Sequence, residues 1–290
     1  MRIWVTGSGG YIGSRLLKSL RRRFPRAVVQ GDRRGPGPAP RFKSIDDVGA
    51  RLARFRPTHV VHCLGRTRPG TLQQLNAAHV APTFYLLEAL RRLPAPRPRV
   101  LLVGSAAEYG ASRRRLTESA PARPQTDYGV SKLLQTRLGL AFHALGVPVI
   151  VARLFNLYAP DAPATFAVPR VWNLLRRKSK GRKILETGPQ NAVRDFLALP
   201  DALEALALLA TRGKPGEIYN VCSGRGLRMG ELFDAMAEGA GVSVGWKTTG
   251  TGSGKSAASV AVGDPAKIRR RTGWRPRLDV LALARAGKKS

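Results

Sequence analysis

The first thirteen residues constrain this chain more than any other stretch. An apolar run from Met1 to Thr6 meets the glycine triplet Gly7-Ser-Gly-Gly10-Tyr-Ile-Gly13, and a helical pattern follows over residues 14–24. Gly7 lets the chain turn tightly off a strand, Gly10 lets backbone N–H groups approach a pyrophosphate, and Gly13 allows close helix–strand packing. An anion held there sits on a helix N-terminus, where N–H groups and the macrodipole favour negative charge. A second apolar run, residues 28–31, ends in Asp32, close to the spacing at which such units set an acid against ribose hydroxyls. The pattern predicts a dinucleotide site on a doubly wound parallel α/β sheet. A carboxylate at Asp32 repels a 2′-phosphate and favours NAD, whereas Arg33 and Arg34 offer that phosphate a clamp, so NADP stays open.

The chain has 290 residues, enough for one large α/β domain with a lobe. No apolar run approaches the ~20 residues needed to span a bilayer, and the glycine turn follows Met1 too closely for a signal peptide. We therefore expect a soluble, cytoplasmic protein without a membrane span. Cys63 and Cys222 lie in apolar strand-like runs and form no metal-type spacing, so no metal is expected. His59 and His62, three apart on a strand, point to opposite faces and read as structural. Fifty Lys and Arg against 18 Asp and Glu give a net charge of +32. The basic clusters, among them Arg21–Arg23 and Arg269–Arg271, are scattered and lack interleaved aromatics. They predict a solvated basic surface that holds nucleic acid only non-specifically, at low salt.

Along the chain, residues 46–55 read as a helix, 58–63 as a buried strand ending at Leu64-Gly65, and 76–93 as a second helix. The strand 99–104 delivers Ser105 to the carboxyl edge of the sheet, where ligands of such sheets bind. After a loop over 111–126, Asp127-Tyr128-Gly-Val-Ser-Lys132 opens a helix to about residue 145. Tyr128 and Lys132, four apart, share one helix face. An ammonium beside a phenol favours the phenolate, bringing its pKa from about 10 toward the working pH, where it can exchange a proton with a carbonyl or hydroxyl. Ser105 is available to hydrogen-bond the same oxygen.

These motifs, together with Arg153-Leu-Phe-Asn156, Arg194-Asp-Phe196, Tyr219-Asn-Val-Cys-Ser-Gly224 and Gly273-Trp-Arg-Pro276, resemble the extended short-chain dehydrogenase/reductase family of nucleotide-sugar epimerases, dehydratases and 4-keto reductases. The resemblance covers nearly the whole chain. It implies a Rossmann core over 1–158 with a return segment over 191–222, and a small substrate-binding cap from 159–190 and 223–290. It implies that Tyr128 is the acid/base, Lys132 its partner and Ser105 the polarising hydroxyl. By the same likeness Gly7, Gly9, Gly10, Tyr11, Ile12, Gly13, Asp32, Arg33, Leu64, Gly65, Asn76 and Leu154, with Tyr128 and Lys132, hold NAD or NADP. Arg66, Ser105, Ala106, Asn156, Arg194 and Lys255 then face a nucleotide-diphosphate sugar, and the family expectation is a homodimer.

Two departures narrow the choice. The 4,6-dehydratases carry an adjacent Asp and Glu where this chain has Ala106 and Ala107, so elimination of water has no acid and base there. The family's diphosphate-holding arginine before Gly263-Asp264 is replaced by Gly250-Thr-Gly-Ser-Gly-Lys-Ser256, which offers only the point charge of Lys255. Gly104-Ser-Ala-Ala-Glu-Tyr-Gly110 is most similar to the GDP-4-dehydro-6-deoxy-mannose reductase branch. The resemblance leaves open a 4-epimerase with tightly held NAD, and the charge leaves open a non-catalytic nucleotide- or RNA-binding protein.

Overall fold

The computed structural model describes all residues except 33–41, 67–69, 111, 113, 165, 178–182, 249–259 and 288–290. Its organising strand is β1 (Arg2–Thr6), buried from Ile3 onward. The chain passes through α1 (Tyr11–Arg23) to β2 (Val28–Gly31), which pairs with one side of β1. It then runs through α2 (Ile45–Phe55) to β3 (His59–His62), which pairs with the other side. That crossing makes a topological switch point, and the glycine turn lies at it. Next come α3 (Leu72–Arg91), β4 (Arg99–Ser105), α4 (Asp127–Ala144) and β5 (Val149–Leu154). With the later strand β9 they complete a six-stranded sheet, ordered β2-β1-β3-β4-β5-β9, whose pairs are all parallel. Every residue of β5 is buried, as expected of a strand with helices on both faces.

Two apolar layers cover the sheet. Leu16 and Leu20 of α1 and the alanine- and leucine-rich α6 (Leu199–Arg212) pack on one face, while Val48, Leu52, Leu86, Leu90 and Phe142 of α2, α3 and α4 pack on the other. Helix α3 begins at Leu72, four residues before the sequence pattern suggests. Thr71 and Gln74 cap it reciprocally, each backbone N–H meeting the other's side chain at 3.3 Å.

Beyond β5 the chain builds a second layer. β6 (Asn156–Tyr158) and β8 (Val193–Ala198) pair in parallel, α5 (Ala167–Leu175) and β7 (Lys183–Thr187) lie between them in the chain, and β9 (Ile218–Val221) returns to the main sheet. β10 (Gly226–Arg228) and β12 (Val260–Ala261) flank β8, while β11 (Val244–Thr248) pairs with β7. Trp172, Phe196, Leu232, Phe233 and Met236 form a separate apolar core here with α7 (Met229–Ala240) and α9 (Val280–Arg285). Residues 266–274, grouped with the cap by sequence, pack elsewhere: Ile268 of α8 (Ala266–Thr272) and Trp274 join the core of α1 and α6.

The motif residues here are mostly ties. Asp195 is fully buried and accepts from Ser223 N (2.7 Å), Gly224 N (2.9 Å) and Gly263 N (3.2 Å), joining these segments at one carboxylate. Asp201 accepts from Arg277 N and Leu278 N, and its carbonyl accepts from the Trp274 indole, anchoring the Gly273–Pro276 stretch on α6.

Candidate active site

The glycine turn leads straight into α1. Gly7 has φ +73°, and a Cβ there would lie 2.7 Å from the Cys63 carbonyl carbon; one at Gly13 would lie 2.2 Å from Gly7 O. Only glycine fits at either place. No side chain caps α1 and no acid sits in its first turn, so the cradle fits a pyrophosphate in both shape and sign. Asp32 is tied into this cradle: its carboxylate accepts from Gly7 N and Ser8 N, both at 2.9 Å. Tyr11 and Arg15 both donate to Asp161, which follows β6, so the turn is also linked to the second layer. Among the described residues, no helix is long and apolar enough to cross a membrane.

Because the strands of the main sheet are all parallel, their carboxyl ends share one edge with this turn. There β4 ends in Ser105, in register with Leu154 of β5. The Ser105 hydroxyl lies near the phenol of Tyr128, in the first turn of α4, closely enough to act on its titration. Burial pushes that phenol's pKa up, the Ser105 hydroxyl opposes it, and Glu108 adds to the rise. This differs from the sequence expectation that Lys132 would pull the phenol down. The reason is geometric: the Lys132 ammonium donates to Val103 O at 2.6 Å and to Gln135 Oε1. Lys132 itself is brought down to about 8 by burial, against the charge of Glu108.

Beneath Ser105 lies a pair that sequence reasoning passes over. Glu108 is fully buried; its Oε1 accepts from Ser105 N at 2.9 Å and its Oε2 accepts from Arg153 Nε at 2.7 Å. The Arg153 side chain is 4% exposed and stacks 4.4 Å from the Tyr109 ring centre. Glu108 is the one acid in an otherwise small and apolar turn, and Arg153 interrupts an apolar strand; those two facts are the signal the sequence carries. His79, also missed, is buried edge-on to Tyr128 with ring centres 5.6 Å apart. Its Nδ1 meets Ser131 Oγ at 2.9 Å and its Nε2 lies 3.0 Å from Arg66 N.

The remaining sequence candidates fall around this centre. Leu64 and Gly65 follow β3, and Gly65 packs on the His79 ring. Asn76, in the second turn of α3, has a buried Oδ1 with no hydrogen-bond partner among the described residues, an acceptor that a ribose hydroxyl or nicotinamide amide would satisfy. Ala106 begins the short turn Ala106–Glu108. Asn156 Nδ2 donates to Asp195 O at 3.2 Å, and Arg194 lies one residue away on β8, its guanidinium donating to Val193 O at 2.9 Å and brought down by burial. Arg33 and Lys255 lie outside the described residues. His59 and His62 do occupy structural places: His59 bonds Thr58, and His62 is fully buried between Thr6 and Thr83.

Comparison with known proteins sets this geometry in a family. Residues 3–222 match the model of the NAD dependent epimerase/dehydratase family. The chain belongs to that family. This epimerase/dehydratase-family enzyme is 28% identical to GDP-6-deoxy-D-mannose reductase of Pseudomonas aeruginosa, over 98% of the chain and 95% of the relative. It is 30% identical to dTDP-6-deoxy-L-talose 4-dehydrogenase (NAD(P)(+)) of Kitasatospora kifunensis, over 83% of the chain and 80% of the relative. Its fold superposes on RMD from Pseudomonas aeruginosa complexed with NADPH with a TM-score of 0.80, at 25% identity, covering 98% of this chain and 97% of that one. As a family member the chain is an NAD(P)-dependent enzyme of nucleotide-sugar chemistry.

Proposed function

We propose that this family member is a reductase, converting the 4-keto group of a nucleotide-linked 6-deoxy sugar, GDP-linked as in the mannose relative, to a hydroxyl. A dinucleotide held by the glycine turn would supply the hydride taken up at C4. Tyr128 gives its phenolic proton to the sugar oxygen while Ser105 donates a hydrogen bond to that oxygen. Burial that raises the phenol's pKa suits this direction, because it keeps the proton on Tyr128 at neutral pH, ready to be given. The Lys132 ammonium, four residues on and held by Val103 O and Gln135 Oε1, contacts the cofactor ribose. Leu64, Gly65, Asn76 and Leu154 line the cofactor, while Arg66, Ala106, Asn156 and Arg194 face the sugar nucleotide.

The observation that carries this reading over dehydration is the state of Glu108. Elimination of water needs a carboxylic acid and a base at the sugar. The one carboxyl in the turn after Ser105 has no exposed surface, and both its oxygens are engaged, by Ser105 N and by Arg153. Two similar proteins are named for redox chemistry on a 6-deoxy sugar, one as a mannose reductase and one as a talose 4-dehydrogenase. The test is Tyr128→Phe. Turnover should fall by about 10²–10⁴, the usual worth of a general acid, while dinucleotide affinity stays within about twofold. Full turnover in that variant would remove Tyr128 from the role.

A further inference from the structure

Behind Lys132 runs a chain of buried polar groups whose hydrogens can all be assigned by counting. Thr83 has one hydroxyl proton, and it goes to His79 O at 2.6 Å. The other two groups on Thr83 Oγ1, Gln135 Nε2 at 2.9 Å and His62 Nε2 at 3.1 Å, must therefore both donate to it. His62 is fully buried and neutral, its pKa brought down to about 3 chiefly by that burial. With its proton on Nε2, its Nδ1 accepts from the Thr6 hydroxyl at 2.8 Å. The Gln135 amide, with its nitrogen committed to Thr83, can only turn its oxygen to the Lys132 ammonium. Reversing the amide would set an NH₂ against the ammonium and a carbonyl against a hydroxyl with no proton to give. Thr6, His62, Thr83, Gln135 and Lys132 are all at most 4% exposed, so no water relieves a wrong orientation.

We infer that Gln135 is the positioning residue for Lys132, and that Thr6, His62 and Thr83 serve to fix which end of its amide faces the ammonium. Two of the three Lys132 protons are thereby committed, to Val103 O and Gln135 Oε1. The third is left for the site that holds Tyr128. The inference rests on the reading of Lys132 given under the proposed function, and Gln135 acts through Lys132. The other titratable groups around Lys132 are Glu108 in the turn after β4, Cys63 and His62 from the β3 edge, His79 of α3, and Tyr128 of its own helix.

The test is the titration of the Lys132 ammonium in cofactor-free protein, followed by NMR on lysine-labelled samples and assigned with Lys132→Arg. The wild-type midpoint should lie near 8. Gln135→Glu sets a carboxylate on the ammonium and should raise the midpoint by about one unit or more, while Gln135→Met removes the acceptor and should lower it. Gln135→Met should also weaken NADPH binding by on the order of tenfold, the worth of one hydrogen bond to a charged group, with its melting temperature close to wild type. Thr83→Val, which keeps the volume but frees the amide, should lower the midpoint in the same direction and tests the idea should Gln135→Met not fold. An unmoved midpoint in Gln135→Glu, or in both Gln135→Met and Thr83→Val, overturns the inference. The titration needs neither cofactor nor sugar, so a protein that binds no dinucleotide would defeat the proposed function and leave this result standing.

Discussion

Replacing Glu108 by glutamine tests the floor of the site. The new amide keeps one oxygen, which can accept from Ser105 N, and turns its NH₂ toward Arg153, so the change removes both the charge and the acceptor on that side. Wild-type Glu108 and Arg153 meet at 2.7 Å with side chains 0% and 4% exposed. A guanidinium left in that place has no compensating charge, and stripping one partner from a buried pair costs about 3–5 kcal/mol. Against a typical total of about 5–15 kcal/mol, that lowers the urea midpoint of the cofactor-free protein by about a fifth or more. Replacing both partners at once, Glu108→Gln with Arg153→Met, removes the stranded charge while keeping an acceptor for Ser105 N, and should recover most of the loss. The assay is urea unfolding of wild type, both single variants and the double variant, read as a cycle. A Glu108→Gln protein within about 1 kcal/mol of wild type, or a double variant no better than the single, would refute the reasoning that this pair is a desolvated unit.

Three further outcomes follow. Because Lys132 acts as an ammonium and burial brings it to about 8, kcat/KM for the reduced dinucleotide should be constant at lower pH and fall as pH rises through about 8; a profile flat to about pH 10, where ordinary lysines titrate, would contradict it. Asp32→Ala strips acceptors from Gly7 N and Ser8 N, so KM for NAD(P)H should rise by on the order of tenfold from the loosened turn while kcat changes little; an unchanged KM would show that the tie is dispensable. The family expectation of a homodimer has a physical basis in Phe84 of α3 and Leu134 of α4, 39% and 43% exposed. Light scattering should find a dimer that the pair Phe84→Glu and Leu134→Glu converts to monomer, and a monomeric wild type would remove the idea.

The parts of this fold governed by local periodicity were legible in the sequence. The glycine turn, the strand ending in Ser105 and the helix bearing Tyr128 and Lys132 each follow from a pattern spanning fewer than about twenty residues. The contacts that tune the site were not, because they join distant segments. Glu108 meets Arg153 across 45 residues and Gln135 meets Thr83 across 52. Composition marks such residues only as polar interruptions in apolar runs. The same limit explains the phenol: spacing alone set the Lys132 ammonium on Tyr128, whereas the fold offers it Val103 O and Gln135. Ile268 and Trp274 lie far from α6 in sequence, so only the fold places them in its core rather than in the cap.

The most direct measurement of the central claim is to mix the purified enzyme with a GDP-linked 4-keto-6-deoxy sugar and NADPH or NADH, following both the nicotinamide absorbance and the sugar product. One reduced dinucleotide should be consumed for each 4-hydroxy sugar formed, with both signals lost in Tyr128→Phe. Inversion at C4 of a 4-hydroxy sugar with no net consumption of dinucleotide, carried by NAD that stays on the protein, would contradict it and make the enzyme an epimerase.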